Sequence, residues 1–363
     1  MVAGDRLKTF QVRIRRGTKV VRDGVWSRRD RQNVVRRSCS GQPVFPMSAS
    51  SPEAGKEVRR FACTSCGHCC NRGPEMELSE ATALGDRFIS SVVFKAHSLP
   101  VNERSEWAAA WWKSHESRIP IRPALEEQRR YLSHFASRRQ VERRRDRQVF
   151  LTISAIVNDD GRGRCPALAG NLCSIYDARP LTCRTVPMHY SRPPSVLRAY
   201  LDHFTATPDY RCDTSATAPI ILDGNRIVDA AVERHREEAI SLARKERAWK
   251  DQLIQLMDDD RKAEAAGLPS YDAVLANTDQ GYATLLPMIV VWRVAKDRGL
   301  LSLETFHDLC RKQMALIQAE MGRGPGESLR KELTHLLSIY EAELASGQRA
   351  ESNIAFLAKP TQS

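Results

Sequence analysis

The chain is short of the signatures that announce common chemistries. It has no Walker loop, no HExxH and no strand-linked GxGxxG, so nucleotide-binding and zinc-protease readings have no motif to rest on. The Cx3Cx2C spacing of common radical enzymes that use S-adenosylmethionine is missing as well, because Gly73 stands where Cys66 and Cys70 would need a third cysteine. Long apolar runs are lacking: the longest, Leu285 to Trp292, has eight residues where a membrane span takes about 20. No secretory signal is recognisable, and the cysteines crowd more tightly than a disulfide framework needs, so a reducing bacterial cytoplasm is the expected setting. Excess charge is missing from most of the chain. Residues 1–46 hold twelve Lys or Arg against three Asp, which is +9 of the net +12, and the remainder is nearly balanced. Neither nucleic acid nor a membrane is therefore an expected partner.

Cysteine is the exception to this sparseness. Phe61 to Cys70 reads FACTSCGHCC, placing Cys63, Cys66, Cys69 and Cys70 within eight positions, and packing alone needs no such density. Cys165 to Pro187 reads CPALAGNLCSIYDARPLTCRTVP and adds Cys165, Cys173 and Cys183. Two residues between cysteines let a tight turn aim both thiolates at one ion, as in zinc knuckles and iron–sulfur loops. The two blocks are read as halves of one metal site. Cys70 is a poor partner for the ion that Cys69 holds, so it serves a second metal or reacts. Cys212, in Tyr210-Arg211-Cys212, is the candidate eighth ligand and His68 a candidate ligand or hydrogen-bond donor, and both roles stay open. Arg179 and Arg184 stand where they would favour thiolates, and Tyr176 reads as a packed lid.

The motif FxCxxCGxCC, followed by CPxL and CxIYxxRPxxCR, resembles the YkgJ-type cysteine-cluster family, a zinc- or iron-chelating domain whose members include flagellin lysine N-methylases. The resemblance covers Phe61 to about Tyr210, and it implies metal ligation by Cys63, Cys66, Cys69, Cys70, Cys165, Cys173 and Cys183. Its metal is an iron–sulfur cluster or zinc. One zinc would leave three of these seven unused, whereas two would want eight, which Cys212 completes. The run Cys63, Cys66, Cys69 fits three corners of a cubane, with Cys165-Pro166 echoing the Cys-Pro of ferredoxin loops, and this tilts the expectation toward iron–sulfur.

The expected fold class is α+β, predominantly helical. Residues 1–46 lack periodicity and read as a disordered basic tail, with Met47 an alternative start; Cys39 lies in this tail. Residues 47–225 are expected to form the cysteine-cluster domain with a helical insertion at about 85–147, and residues 226–363 a helical region. Within these, Ser79 reads as a helix N-cap, the six arginines of 138–147 as a solvated helix face, and Phe150–Val157 as a buried strand. Gly281 to Gly299 reads as an apolar helix, Ser302 as an N-cap and Cys310 as a buried thiol. Leu329, Leu333, Leu336, Leu337, Tyr340 and Leu344 form one buried stripe.

Three functions are compatible with this pattern: a metal-binding protein with redox activity, a protein lysine N-methylase, and a structural zinc module whose helical region binds a protein partner. A methylase needs a site for the methyl donor, and none is visible in the sequence.

Overall fold

The structure, a computed structural model, describes residues 10–13, 58–70, 73–104, 106–114, 119–137, 141–144, 147–158, 163–279 and 282–357. Phe10–Arg13 (β1) is an edge strand within the stretch expected to be disordered; the rest of residues 1–46, Cys39 included, lies outside the described residues. Val58–Arg60 (β2) leads into the first cysteine block, and Glu75–Met76 (β3) and Leu78–Ala83 (α1) leave it. Ser90–Pro100 (β4) then runs back across the fold.

β4 corrects the expectation of a helical insertion from about 85. Its Val92, Val93 and Phe94 are buried, and a β-branched and aromatic run of this kind fits a pleated surface once a partner strand is there to pair with. Among the described residues of the insertion, helix is confined to Glu106–Ser114 (α2) and Ile121–Phe135 (α3). The arginine-rich stretch contributes a strand, Val141–Arg144 (β5), in place of the expected helix face. Arg147–Val157 (β6) contains the expected strand.

Leu168–Ala169 (β7) and Leu172–Cys173 (β8) make a hairpin within the second cysteine block. Leu181–Arg184 (α4), Pro194–Thr205 (α5), Ile220–Asp223 (β9) and Arg226–Ile227 (β10) follow. Beyond them come Ala230–Met257 (α6), Asp260–Ala266 (α7), Tyr271–Asp279 (α8), Tyr282–Pro287 (β11), Ile289–Asp297 (α9), Leu303–Gly322 (α10) and Glu327–Leu357 (α11). With 53% helix and 17% strand, the fold is α+β and mostly helical, as expected. Among the described residues no helix is long and apolar enough to cross a membrane.

The main sheet has the order β1-β11-β4-β6-β3, with β5 also on β6, and every pairing is antiparallel. β11 is the second correction, since residues 282–287 were expected within a helix. A short apolar run does not reveal by periodicity alone whether it is strand or helix; here it has a strand on each side, and helix begins only at Ile289, after Pro287. The region beyond residue 226 thus supplies a strand to the interior of the sheet.

Side chains alternate along β6, and Val149, Leu151, Ile153, Ala155 and Val157 share the main core with Leu253, Trp292, Phe306, Leu333, Leu336 and Tyr340. The expected leucine stripe of α11 is therefore part of that core, as is Cys310. A smaller core gathers Phe61, Met188, Leu197, Leu201, Ile221, Leu222 and Ile227 around the β10-β9-β2 sheet.

Gln313 of α10 is fully buried, and its side-chain amide donates to the carbonyls of Gly85 and Phe88, both at 2.7 Å. Replacing it by an apolar side chain leaves two buried acceptors without a donor. Gln313→Leu is expected to destabilise the chain by about 1 to 3 kcal/mol in urea unfolding, and an unchanged midpoint would show that α10 is not held through these bonds.

Candidate metal centre

The first cysteine block is aligned by a single bridge. Ala62 and Asp213 exchange both backbone hydrogen bonds, at 2.8 and 3.0 Å. In antiparallel pairing the next pair along is the non-bonded kind, whose Cα atoms come closest, at about 4.5 Å, and here that pair is Cys63 and Cys212. Thr64 Oγ1 extends the alignment by donating to the Arg211 carbonyl at 2.5 Å. The Cys66 thiol is held below its usual pKa, chiefly by the backbone N–H of His68 and also by that of Arg211. Cys212 is pushed up by burial and then by the charges of Cys66 and Cys63, which makes these its neighbours.

The loop returns at Gly67, whose φ of 74° lies in the left-handed region. A Cβ there would also sit 3.2 Å from Asn171 Cα, so the loop rests against the turn of the β7–β8 hairpin. It closes in one tight turn over His68–Cys70, with the Cys70 N–H donating to the Gly67 carbonyl at 3.1 Å. The His68 side chain is exposed, and its backbone serves Cys66.

The second block docks on the end of this turn. The Cys165 N–H donates to the Cys70 carbonyl at 3.1 Å, and the hairpin then places Cys173 opposite Leu168. Burial pushes the Cys183 thiol up to about 12, and the charges of Cys165, Cys70 and Cys173 add to the rise while Arg179 opposes it. The adjacent thiols of Cys69 and Cys70 share a hydrogen bond. As its donor Cys69 is driven up, further raised by burial and by Cys70, Cys63 and Cys66. As its acceptor Cys70 is lowered to about 7, against burial and with help from Arg179.

All eight cysteines expected as ligands are therefore brought together, in two neighbourhoods that meet at Cys69 and Cys70. Among the described residues no three Cys, His, Asp or Glu side chains close tightly enough on one point to hold an ion as they stand, so these are neighbourhoods of thiols and not finished coordination shells. Their chemistry suits zinc or iron, both of which take thiolate ligands.

Residues 114–213 match one family model. Its description is "CxxCxxCC: Putative zinc- or iron-chelating domain". The match takes in Cys165, Cys173, Cys183 and Cys212, ends one residue beyond Cys212, and leaves the Cys63–Cys70 block outside. No curated protein and no solved structure matches the chain at a significant level.

Two expectations at the rim need correction. Tyr176 is no packed lid: it is 59% exposed, with the Arg179 guanidinium 3.6 Å over its ring. Arg184 braces the loop by donating to the carbonyls of Arg179 at 2.7 Å and Asp177 at 3.1 Å. Of the two arginines, Arg179 is the one whose charge reaches the thiols.

The sequence reading missed a layer of buried charge that anchors the centre. Glu77, not Ser79, is the N-cap of α1. Glu246, far along the chain on α6, accepts from the backbone N–H groups of Leu78 at 3.0 Å and Ser79 at 2.7 Å, and from the Ser79 hydroxyl. Glu80 accepts from the Glu77 N–H at 3.2 Å and from the Leu181 N–H at 2.8 Å, which joins α1 to the short helix carrying Cys183. Glu75 pairs with Lys95 and accepts from Ser154 Oγ at 2.5 Å, while its carbonyl accepts from Thr182 Oγ1.

Lys250 pairs with Glu77 and lies 3.4 Å from Glu246, with all three side chains buried. Two carboxylates facing one ammonium are neutral only if one carboxyl keeps its proton. Burial accordingly pushes Glu77 up to about 7, Lys250 pulling against this and Glu246 adding to it, while Glu246 itself is lowered. Glu77 holds its proton more tightly in the folded chain, so its contribution to stability is full below 4.5 and is lost as pH rises through about 7. Glu77→Gln is expected to gain stability relative to wild type across that window, by up to on the order of 3 kcal/mol. Lys250→Met, which strands the carboxylates, is expected to lose about 3 to 5 kcal/mol. Urea unfolding of both variants at either end of the window checks the signs.

Proposed function

We propose that the chain is a metal-chelating protein that holds zinc through Cys63, Cys66, Cys69, Cys70, Cys165, Cys173, Cys183 and Cys212. The observation that carries this reading is the convergence of two cysteine blocks and the isolated Cys212 from three separate parts of the chain. A family match to a zinc- or iron-chelating domain over residues 114–213 supports it.

The choice of zinc turns on the fourth corner. The case for iron–sulfur rests on the Cys63, Cys66, Cys69 run, with Cys165-Pro166 as an echo of the Cys-Pro that closes ferredoxin loops. Cys165 instead lies beside Cys70 and Cys183, and Cys212 faces the run. Two sets of four thiols supply the number and kind of ligand that zinc takes in closed structural sites. Its chemistry there is cross-linking: bound zinc ties loops that make few apolar contacts of their own, and binding contributes directly to folding. Arg179 offsets part of the negative charge that four thiolates bring together.

Iron–sulfur ligation is the second reading, favoured by the spacing of Cys63, Cys66 and Cys69, which fits three corners of a cubane. It would make the protein redox-active. Purification without oxygen, followed by measurement of zinc, iron and acid-labile sulfide, separates the two. The expected outcome is a colourless protein with stoichiometric zinc and no sulfide. A brown protein with iron and sulfide would hand the site to the second reading, and a chain that retains neither metal would end both.

A further inference from the structure

The two thiol neighbourhoods are attached to different parts of the fold. Cys63 and Cys212 face each other across the Ala62–Asp213 bridge, and this bridge hangs from the small sheet: the Phe61 N–H donates to the Pro219 carbonyl at 3.0 Å, and β2 pairs with β9. Cys212 itself packs on the small core of Phe61, Leu197, Leu201 and Leu222. Cys165 and Cys173, by contrast, pack on the main core, and Cys183 rides on α4, whose first amide is held by Glu80 of α1. Cys69 and Cys70 are consecutive in a tight turn of three residues per revolution, so their side chains leave the backbone about 120° apart. Their thiols nonetheless share a hydrogen bond, so the pair sits where the two parts meet, with the Cys165 N–H donating to the Cys70 carbonyl from the main-body side.

Exposure is greatest at the Cys63 end of the first loop, the other seven candidate cysteines being half-buried. Cys63 is exposed, as are its neighbours Thr64 and Ser65, and Arg211 beside Cys212 is exposed too.

Resting on the zinc-chelating reading above, we infer that the cysteines build two adjoining centres, Cys63, Cys66, Cys69 and Cys212 in one and Cys70, Cys165, Cys173 and Cys183 in the other. The first is a releasable latch that fastens residues 206–219 to the first cysteine loop, and the second is a permanent part of the main body. Residues 206–219 join α5 to β9 without a helix or strand of their own, so with the latch open Cys212 keeps the Ala62–Asp213 bridge, the Thr64–Arg211 bond and its packing on the small core.

The test uses the full-length reduced chain loaded with zinc and stripped in steps by a chelator, with thiols alkylated at each step and mapped by mass spectrometry. The wild-type chain is expected to bind two zinc equivalents. Loss of the first should expose Cys63, Cys66, Cys69 and Cys212 to alkylation and speed amide exchange across 206–219, with Cys70, Cys165, Cys173 and Cys183 still protected. Cys212→Ser and Cys173→Ser should each keep one equivalent of the two. A single equivalent, alkylation that spreads over both sets together, or exposure of the second set first would overturn the latch while leaving zinc chelation standing. A chain that takes up no zinc would overturn both. The mapping on the wild-type chain decides the matter even if either variant fails to fold.

Discussion

The antiparallel ladder between β4 and β6 is what the rest of the molecule hangs on. It runs through eleven residue pairs, from Ser90 opposite Val157 to Pro100 opposite Arg147, and both strands are buried along most of their length. Its far end is where the cysteine loops attach. The Val157 N–H donates to the Pro74 carbonyl at 3.0 Å, and a Cβ on Gly73 would stand 2.0 Å from the Val157 carbonyl oxygen. Only glycine lets the chain leaving the first cysteine block pass so close to the end of the ladder. Cys165 follows the same strand after a short connection. One rigid pair of strands thus sets where the first cysteine block ends and where the second begins.

Charge fixes the blocks laterally. Glu75, Glu77 and Glu80 alternate along the segment leaving the first block, and each ties it to a different place: Glu75 to the ladder through Lys95 and Ser154, Glu77 to α6 through Lys250, Glu80 to α4. Buried ionic contacts of this kind add little net stability, because desolvation offsets the attraction. Their effect is positional, since a carboxylate without its partner is too costly for the loops to settle anywhere else.

Elements whose information is local were legible in the sequence. The β-branched run at Phe150–Val157, the Ser302 cap and the leucine stripe of α11 were all read correctly because each is encoded within about twenty consecutive residues. β4 and β11 were not, since each is a strand by virtue of partners tens to hundreds of residues away. The α1 start was misplaced for a similar reason. Ser79 has the chemistry of a cap, but a carboxylate from α6 takes the amides of Leu78 and Ser79, so the helix starts earlier, with the Ala81 N–H already donating to the Glu77 carbonyl. The cysteine blocks announced themselves by spacing. Cys212 has no spacing to announce it, and its place beside Cys63 comes from a bridge that only the folded chain makes. Buried Glu77 and Lys250 look in the sequence like any solvated pair.

The interleaving of the two proposed thiol sets matters for how the chain is made. Cys212 leaves the ribosome 142 residues after Cys70, and Cys183 leaves 113 residues after it. At ordinary elongation rates of about 5 to 20 residues per second, the four thiols of the first block wait roughly 7 to 30 s for their last partner. In the first part of that interval, until β6 and the β7–β8 hairpin have been made, they are four free thiols in close sequence. The first block is therefore at its most exposed on the nascent chain, before the residues that cover it in the fold have been made.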